Sequence, residues 1–189
     1  MKHHFKTTAP ACLAATLLLS ACAGSLTVNE HTQSPNGNQF IQESSRHGQM
    51  ETVVVGTLFG ADKAAMTQSV TQAMPGTYHG PEMEFTATPE KNPLHVRTVF
   101  FMNSPRGMNV KSLCADPSTL MPHEGDEGLR MAGALCKGGQ LIRSATARGA
   151  KPTSLDDPAF TTYVAAITSH LMSLRNTDRD CGDSPCSGS

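Results

Sequence analysis

The sequence predicts one α+β domain spanning residues 50–175, an antiparallel sheet of four to five strands packed by two helices and stapled by disulfides. Three observations carry this. Short β-branched or alternating runs recur between residues 50 and 147, separated by Pro/Gly turns. A helical apolar stripe closes the chain at residues 160–174. Cys114, Cys136, Cys181 and Cys186 fall within or just after this region, an even number suited to crosslinking.

Met50 to Phe59, with Val53-Val54-Val55 at its centre, reads as the first strand. Between Ala61 and Met74 the period changes, with Met66, Val70, Ala73 and Met74 on one helical face and Pro75-Gly76 ending the run. Glu82 to Thr88 alternates strictly, turning Met83, Phe85 and Ala87 inward. Residues 89–93 turn the chain, and Leu94 to Met102 alternates before becoming apolar on both faces, as a central strand does. These two strands read as an antiparallel hairpin.

Residues 103–128 carry Pro105, Gly107, Pro117, Pro122, Gly125 and Gly128 and form a long irregular loop with Cys114 inside it. Leu129 to Cys136 and Leu141 to Ala147, joined by Lys137-Gly138-Gly139, read as a second hairpin, the first half having a short helix capped by Gly138 as its alternative. Asp157 and Pro158 then open the final helix as N-cap and first helical residue. Its stripe is Phe160, Val164, Ile167, Leu171 and Leu174, with Arg175 placed favourably at the negative end of the helix dipole. Residues 176–189 are polar and read as an exposed tail.

The chain begins with Lys2 and Lys6, followed by an apolar run containing Leu13, Leu17, Leu18 and Leu19. That run is shorter than the about 20 residues a membrane-spanning helix needs, but it has the length of a secretory signal core. It ends in Leu19-Ser20-Ala21-Cys22, which resembles the lipobox of bacterial lipoproteins at every position. The resemblance implies a signal peptide over 1–21, cleavage before Cys22, a diacylglycerol thioether on its sulfur and an acylated amino group. Two or three acyl chains anchor stably, since each buried methylene contributes about 0.8 kcal/mol. Ala23 follows Cys22 where an aspartate would resemble an inner-membrane retention mark, which points to the outer membrane and a periplasm-facing domain. Residues 22–49 read as the lipidated cysteine and a flexible polar tether, whose 27 residues after Cys22 give a root-mean-square reach of about 30 Å. Separately, the hairpin, the cysteine-bearing loop, the run ALCKGGQLIRSATARG and the terminal helix resemble, over residues 94–174, a group of small bacterial envelope lipoproteins with no assigned activity, so the resemblance implies no site.

Beyond residue 21 lie 13 basic and 16 acidic residues, a formal charge of −3 with no basic cluster, which argues against nucleic acid as a partner. Trp is absent and Tyr occurs twice, which excludes a carbohydrate site of stacked Trp. In an oxidising compartment the four remaining cysteines read as two disulfides. Of the three pairings, Cys181–Cys186 would clip the tail and Cys114–Cys136 would close a loop of about 23 residues. A structural zinc site is the rival, although no C-x-x-C pair occurs.

No G-x-S-x-G elbow or S-x-x-K motif supports a serine nucleophile, and a cysteine nucleophile would need Cys114 or Cys136 reduced beside a base such as His95 or His170. No catalytic residue is therefore assigned. His123-Glu124-Gly125-Asp126-Glu127 is the richest polar cluster; His123, Glu124 and Asp126, with Met121, are candidate metal ligands, against the plainer reading of a solvated acidic turn. Met108 and Met121 are the methionines free of core duty that could present soft ligands, whereas Met66, Met74, Met83 and Met102 sit on expected core faces. An arginine-and-carboxylate peptidoglycan-binding helix is also missing. No cofactor is expected. The sequence points to a lipid-anchored binding or scaffolding module acting on an envelope partner through the 103–128 loop, with an envelope metal-handling protein or hydrolase as the alternative.

Overall fold

The structure is a computed structural model, and it describes residues 26–32, 34, 36–123 and 128–174. Six strands form one sheet: β1 (Thr27–Thr32), β2 (Gln49–Val55), β3 (Glu84–Thr86), β4 (Val96–Met102), β5 (Leu129–Lys137) and β6 (Gln140–Gly149). Four helices accompany them: α1 (Gly37–Ser45), α2 (Lys63–Ala73), the single turn α3 (Ser112–Ala115) and α4 (Pro158–Met172). Across the sheet the order is β1-β6-β5-β4-β2-β3.

The α+β class and the Cys114–Cys136 disulfide are present, but the sheet is mixed and six-stranded rather than antiparallel with four or five strands. β2 pairs in parallel with both β3 and β4, while β4, β5, β6 and β1 run antiparallel in succession. Parallel neighbours need a long crossover, and α2 supplies it after β2. The expected hairpin between residues 82 and 102 therefore does not form: β3 and β4 flank β2 on opposite sides. The strand-to-strand seam between β2 and β4 buries Thr52 and Thr98, whose hydroxyls satisfy each other at 3.0 Å.

The tether expectation is corrected over residues 27–45, which form β1 and α1. β1 adds to the β6 edge in register from Thr27 opposite Arg148 to Thr32 opposite Arg143. α1 seats Ile41 and Ser44 in the core, so the folded unit starts well before residue 50. The residues between Cys22 and the first described position, Leu26, number only three.

α1, α2 and α4 cover one face of the sheet. There Met50, Val54, Phe100, Met102, Met131 and Leu135 meet Met66, Val70 and Met74 of α2 and Phe160, Val164, Ile167 and Leu171 of α4, all buried. Met66, Met74, Met83 and Met102 are thus core residues, as their periodicity indicates. α4 comes so close to β5 that a Cβ on Gly133 would overlap Ile167 Cγ2. The helix opens on Asp157, whose carboxylate accepts from Ala159 N at 2.9 Å and, through its other oxygen, from Thr153 N at 2.8 Å and Thr153 Oγ1 at 3.0 Å. Those hydrogen bonds hold the Asp157 carboxyl below its ordinary pKa. At its far end Arg143 meets the last carbonyls; Arg175, expected there, lies outside the described residues. The buried guanidinium donates to Leu171 O at 3.3 Å, Ser173 O at 2.6 Å and Asn38 Oδ1 at 2.6 Å, joining β6, α4 and α1.

Candidate binding groove

The opposite face of the sheet is covered by the loop that follows β4. Asn103 takes a left-handed backbone, φ 52°, and Ser104 N–H donates to Arg130 O at 3.0 Å, extending the β4–β5 ladder by one bond before the chain lifts off. Pro105, Arg106 and Gly107 turn it over the sheet. Asn109 then starts α3, its carbonyl accepting from Ser112 N at 3.0 Å and Ser112 Oγ at 2.6 Å. α3 presents Leu113 and Cys114 to a second core of Val99, Phe101, Ala132, Ala134, Cys136 and Leu141, with Met108, Val110 and Leu120 packed at its margin. Small residues dominate β5 on this face, so a one-turn helix can approach it closely.

Three fastenings hold the loop. Cys114 is bonded to Cys136 of β5 with a Cα–Cα distance of 5.5 Å, and Arg97 donates to the Cys114 carbonyl at 3.0 Å. At its neck, His123 N–H donates to Asn103 O at 2.7 Å, bringing the outgoing and returning chain together. A disulfide leaves no thiolate at either position, so neither cysteine serves as a nucleophile in this state.

Between this loop and the β1 edge lies an open groove of about 640 Å³. Arg130 of β5 and Thr146 of β6 form its floor, Asn29 to His31 of β1 its wall, and Ser104, Gly107 and Met108 its roof. The lining therefore mixes one guanidinium, an imidazole, amide and hydroxyl groups with the thioether of Met108. That is a recognition chemistry of hydrogen bonds over a partly apolar surface. Glu30, at the same wall, is engaged from the helical side by His170 Nδ1 at 2.9 Å. Burial lowers the His170 pKa below its ordinary value; Glu30 opposes that and nearby Arg143 reinforces it.

The proposed ligand cluster distributes differently. His123 and Met121 are both exposed, Met121 at 81 %, at the loop neck rather than inside the groove. Glu124 and Asp126 lie outside the described residues, as do Cys22, Cys181 and Cys186. Among the described residues no three His, Cys, Asp or Glu side chains gather as a metal-binding group. Met108 faces the groove and the second core. His95 is exposed in a left-handed turn, φ 51°, its carbonyl accepting from Gly138 N at 2.8 Å. The residues that sequence reasoning missed are Arg130, His31 and Thr146, because their convergence depends on β1 joining the sheet. Only the length of the 103–128 loop signalled that this region holds a site.

No protein-family model matches the chain, and no curated protein sequence matches it. Among solved structures, a PelC dodecamer from Paraburkholderia phytofirmans is similar over 79 % of this chain and 99 % of that chain, with a TM-score of 0.44 and 14 % identity. At that level of likeness nothing about activity or assembly transfers.

Proposed function

We propose that this chain is a lipid-anchored protein of the bacterial cell envelope, held on the outer membrane through acylated Cys22, whose domain binds or scaffolds another envelope component without catalysis. The observation that carries the binding role is the groove itself. A disulfide and a backbone clasp fix an irregular loop over a rigid sheet, and the space beneath is lined by side chains from three strands and the loop. Rigidly held loops on sheets are where recognition concentrates, because the ordering entropy is already spent in folding. The lipobox residues Leu19 to Cys22 support the anchor, and a buried disulfide suits an oxidising compartment. No helix among the described residues is long and apolar enough to cross a membrane. Anchoring acts by raising the effective concentration of the groove toward partners in the same membrane layer.

A photoreactive amino acid placed at Met108, on the groove roof, and at Gln68, on the outer side of α2, tests this in intact cells. A discrete crosslinked species from position 108 and none from position 68 is expected. Equal background at both positions would contradict a partner at the groove. Cys22→Ser is expected to move the protein to the soluble periplasmic fraction, and continued membrane retention would contradict the anchor.

A further inference from the structure

The sheet has one end at which three features meet. Thr27 of β1 stands opposite Arg148 of β6, and Arg148 opposite Arg130 of β5. Arg130 in turn accepts from Ser104, just past the end of β4, and β2 ends beside β4 with Val55 opposite Phe101. The start of β1, which leads back to Cys22, therefore shares this end with the loops that follow β2 and close the 103–123 segment. Those two loops carry Phe59 and Met121, the large hydrophobic side chains left exposed among the described residues, at 38 % and 81 %.

Both side chains are held out on well-tied backbone. Leu58 is buried, and its carbonyl accepts from Ala61 N at 3.0 Å, pinning the turn on which Phe59 sits. Phe59 itself has φ 57°, a left-handed backbone that is rare for a bulky residue and that needs a reason. Met121 precedes Pro122, which packs against Gly56 at the end of β2, and His123, which is clasped to Asn103.

Chain length fixes where this end lies relative to Cys22. Ala23, Gly24 and Ser25 are all that separate Cys22 from Leu26, so the four Cα–Cα steps reach at most about 14 Å. An acylated Cys22 would bring the start of β1 to within that distance of the bilayer. β2 lies four strand spacings away along the same end, about 19 Å. We propose that this end of the sheet is a membrane-docking surface, with Phe59 and Met121 entering the headgroup and upper acyl region of a phospholipid bilayer beside Cys22. The proposal rests on the lipid-anchor reading. Apolar contact rather than net charge drives it: Lys63, Arg106, Arg130, Arg148 and Lys151 are matched by Asp62, Asp156 and Asp157 together with Glu124, Asp126 and Glu127, which follow His123 in the sequence. A neutral bilayer is therefore a sufficient partner. The domain would sit on the membrane in one orientation, fixed by lipid at one corner and two side chains at the other.

Because the chain has no Trp, a single introduced Trp is a unique reporter. Full-length protein is made in a bacterium that acylates lipoproteins, its Cys22 modification is confirmed by mass, and it is reconstituted into phosphatidylcholine vesicles with or without brominated acyl chains. Phe59→Trp and Met121→Trp are expected to show blue-shifted emission and to lose most of it to brominated lipid. Lys91→Trp, on the connection into β4 at the other end of the sheet, is expected to lose none. Unshifted, unquenched emission from positions 59 and 121 in acylated, vesicle-bound protein would overturn the docking surface while leaving the anchor intact. Absence of the acyl mass on Cys22 would overturn both.

Discussion

Removing the Cys114–Cys136 crosslink is predicted to cost the domain about 3 kcal/mol through the unfolded chain alone. The two cysteines are separated by 22 positions, and a crosslink closing a loop of that size withholds about 11 cal/mol/K of entropy from the unfolded ensemble, or about 3 kcal/mol at 25 °C. Both half-cystines are fully buried in the second core, so truncation to alanine adds a packing loss of about 1 kcal/mol for each sulfur. The two contributions separate experimentally. Wild type unfolded in reductant and refolded keeps both sulfurs and is expected to lose about 3 kcal/mol by urea titration. Cys114→Ala/Cys136→Ala is expected to lose about 5 kcal/mol. For a domain of this size about 3 kcal/mol lowers Tm by about 6–12 °C. The groove roof should loosen with the same change, read as faster amide exchange at Ser104, whose N–H bonds Arg130 O. If oxidised and reduced wild type unfold at the same urea concentration, the crosslink does not constrain the unfolded chain and the reasoning fails.

Three further perturbations probe the scaffold under the groove. Arg143→Met deletes the buried donor shared by Leu171 O, Ser173 O and Asn38 and is expected to cost about 3 kcal/mol and to expose α1 amides, whereas full retention of stability by denaturation would show that the guanidinium closes nothing. Gly133→Ala drives a methyl into Ile167 and is expected to cost about 1–3 kcal/mol, with Ile167→Ala in the same chain costing less than the sum of the two single changes; strict additivity in that double-mutant cycle would deny the contact. His170 binds its proton less readily folded than unfolded, so stability is fully present above its ordinary value of 6.5 and falls as pH drops below it toward the depressed folded value. Urea midpoints at pH 7.5 and 5.5 should differ in that direction, and His170→Gln should flatten the difference; a titration by NMR placing His170 above 6.5 would reverse the sign.

The parts of this fold that the sequence discloses are those whose burial follows one periodicity. α4 is legible because Phe160, Val164, Ile167 and Leu171 all point the same way, with Asp157 and Pro158 marking its start. α2 is legible through Met66 and Val70, and β4 through its doubly apolar end, which turns out to be buried on both faces. β1 and α1 are not legible. β1 offers only Val28 as an apolar residue, and α1 only Phe40 and Ile41, its other buried positions being Gly37 and Ser44, so neither carries a repeating apolar pattern. Each is ordered by its partners instead: β1 by the free edge of β6, α1 by Arg143 holding Asn38. The parallel pairing of β2 with β4 is likewise set by the crossover through α2, which no local pattern encodes. The site inherits these gaps. The disulfide and the loop can be read from cysteine count and Pro/Gly content, but the groove wall exists only once β1 has docked.

Intact-mass and N-terminal peptide analysis of the protein extracted from membranes decides whether Cys22 is the lipid anchor. The expected result is a chain beginning at Cys22 that carries a diacylglycerol and an N-acyl group, with β1 starting only a few residues later. A chain still beginning at Met1, or a Cys22 bearing an unmodified thiol, would contradict it.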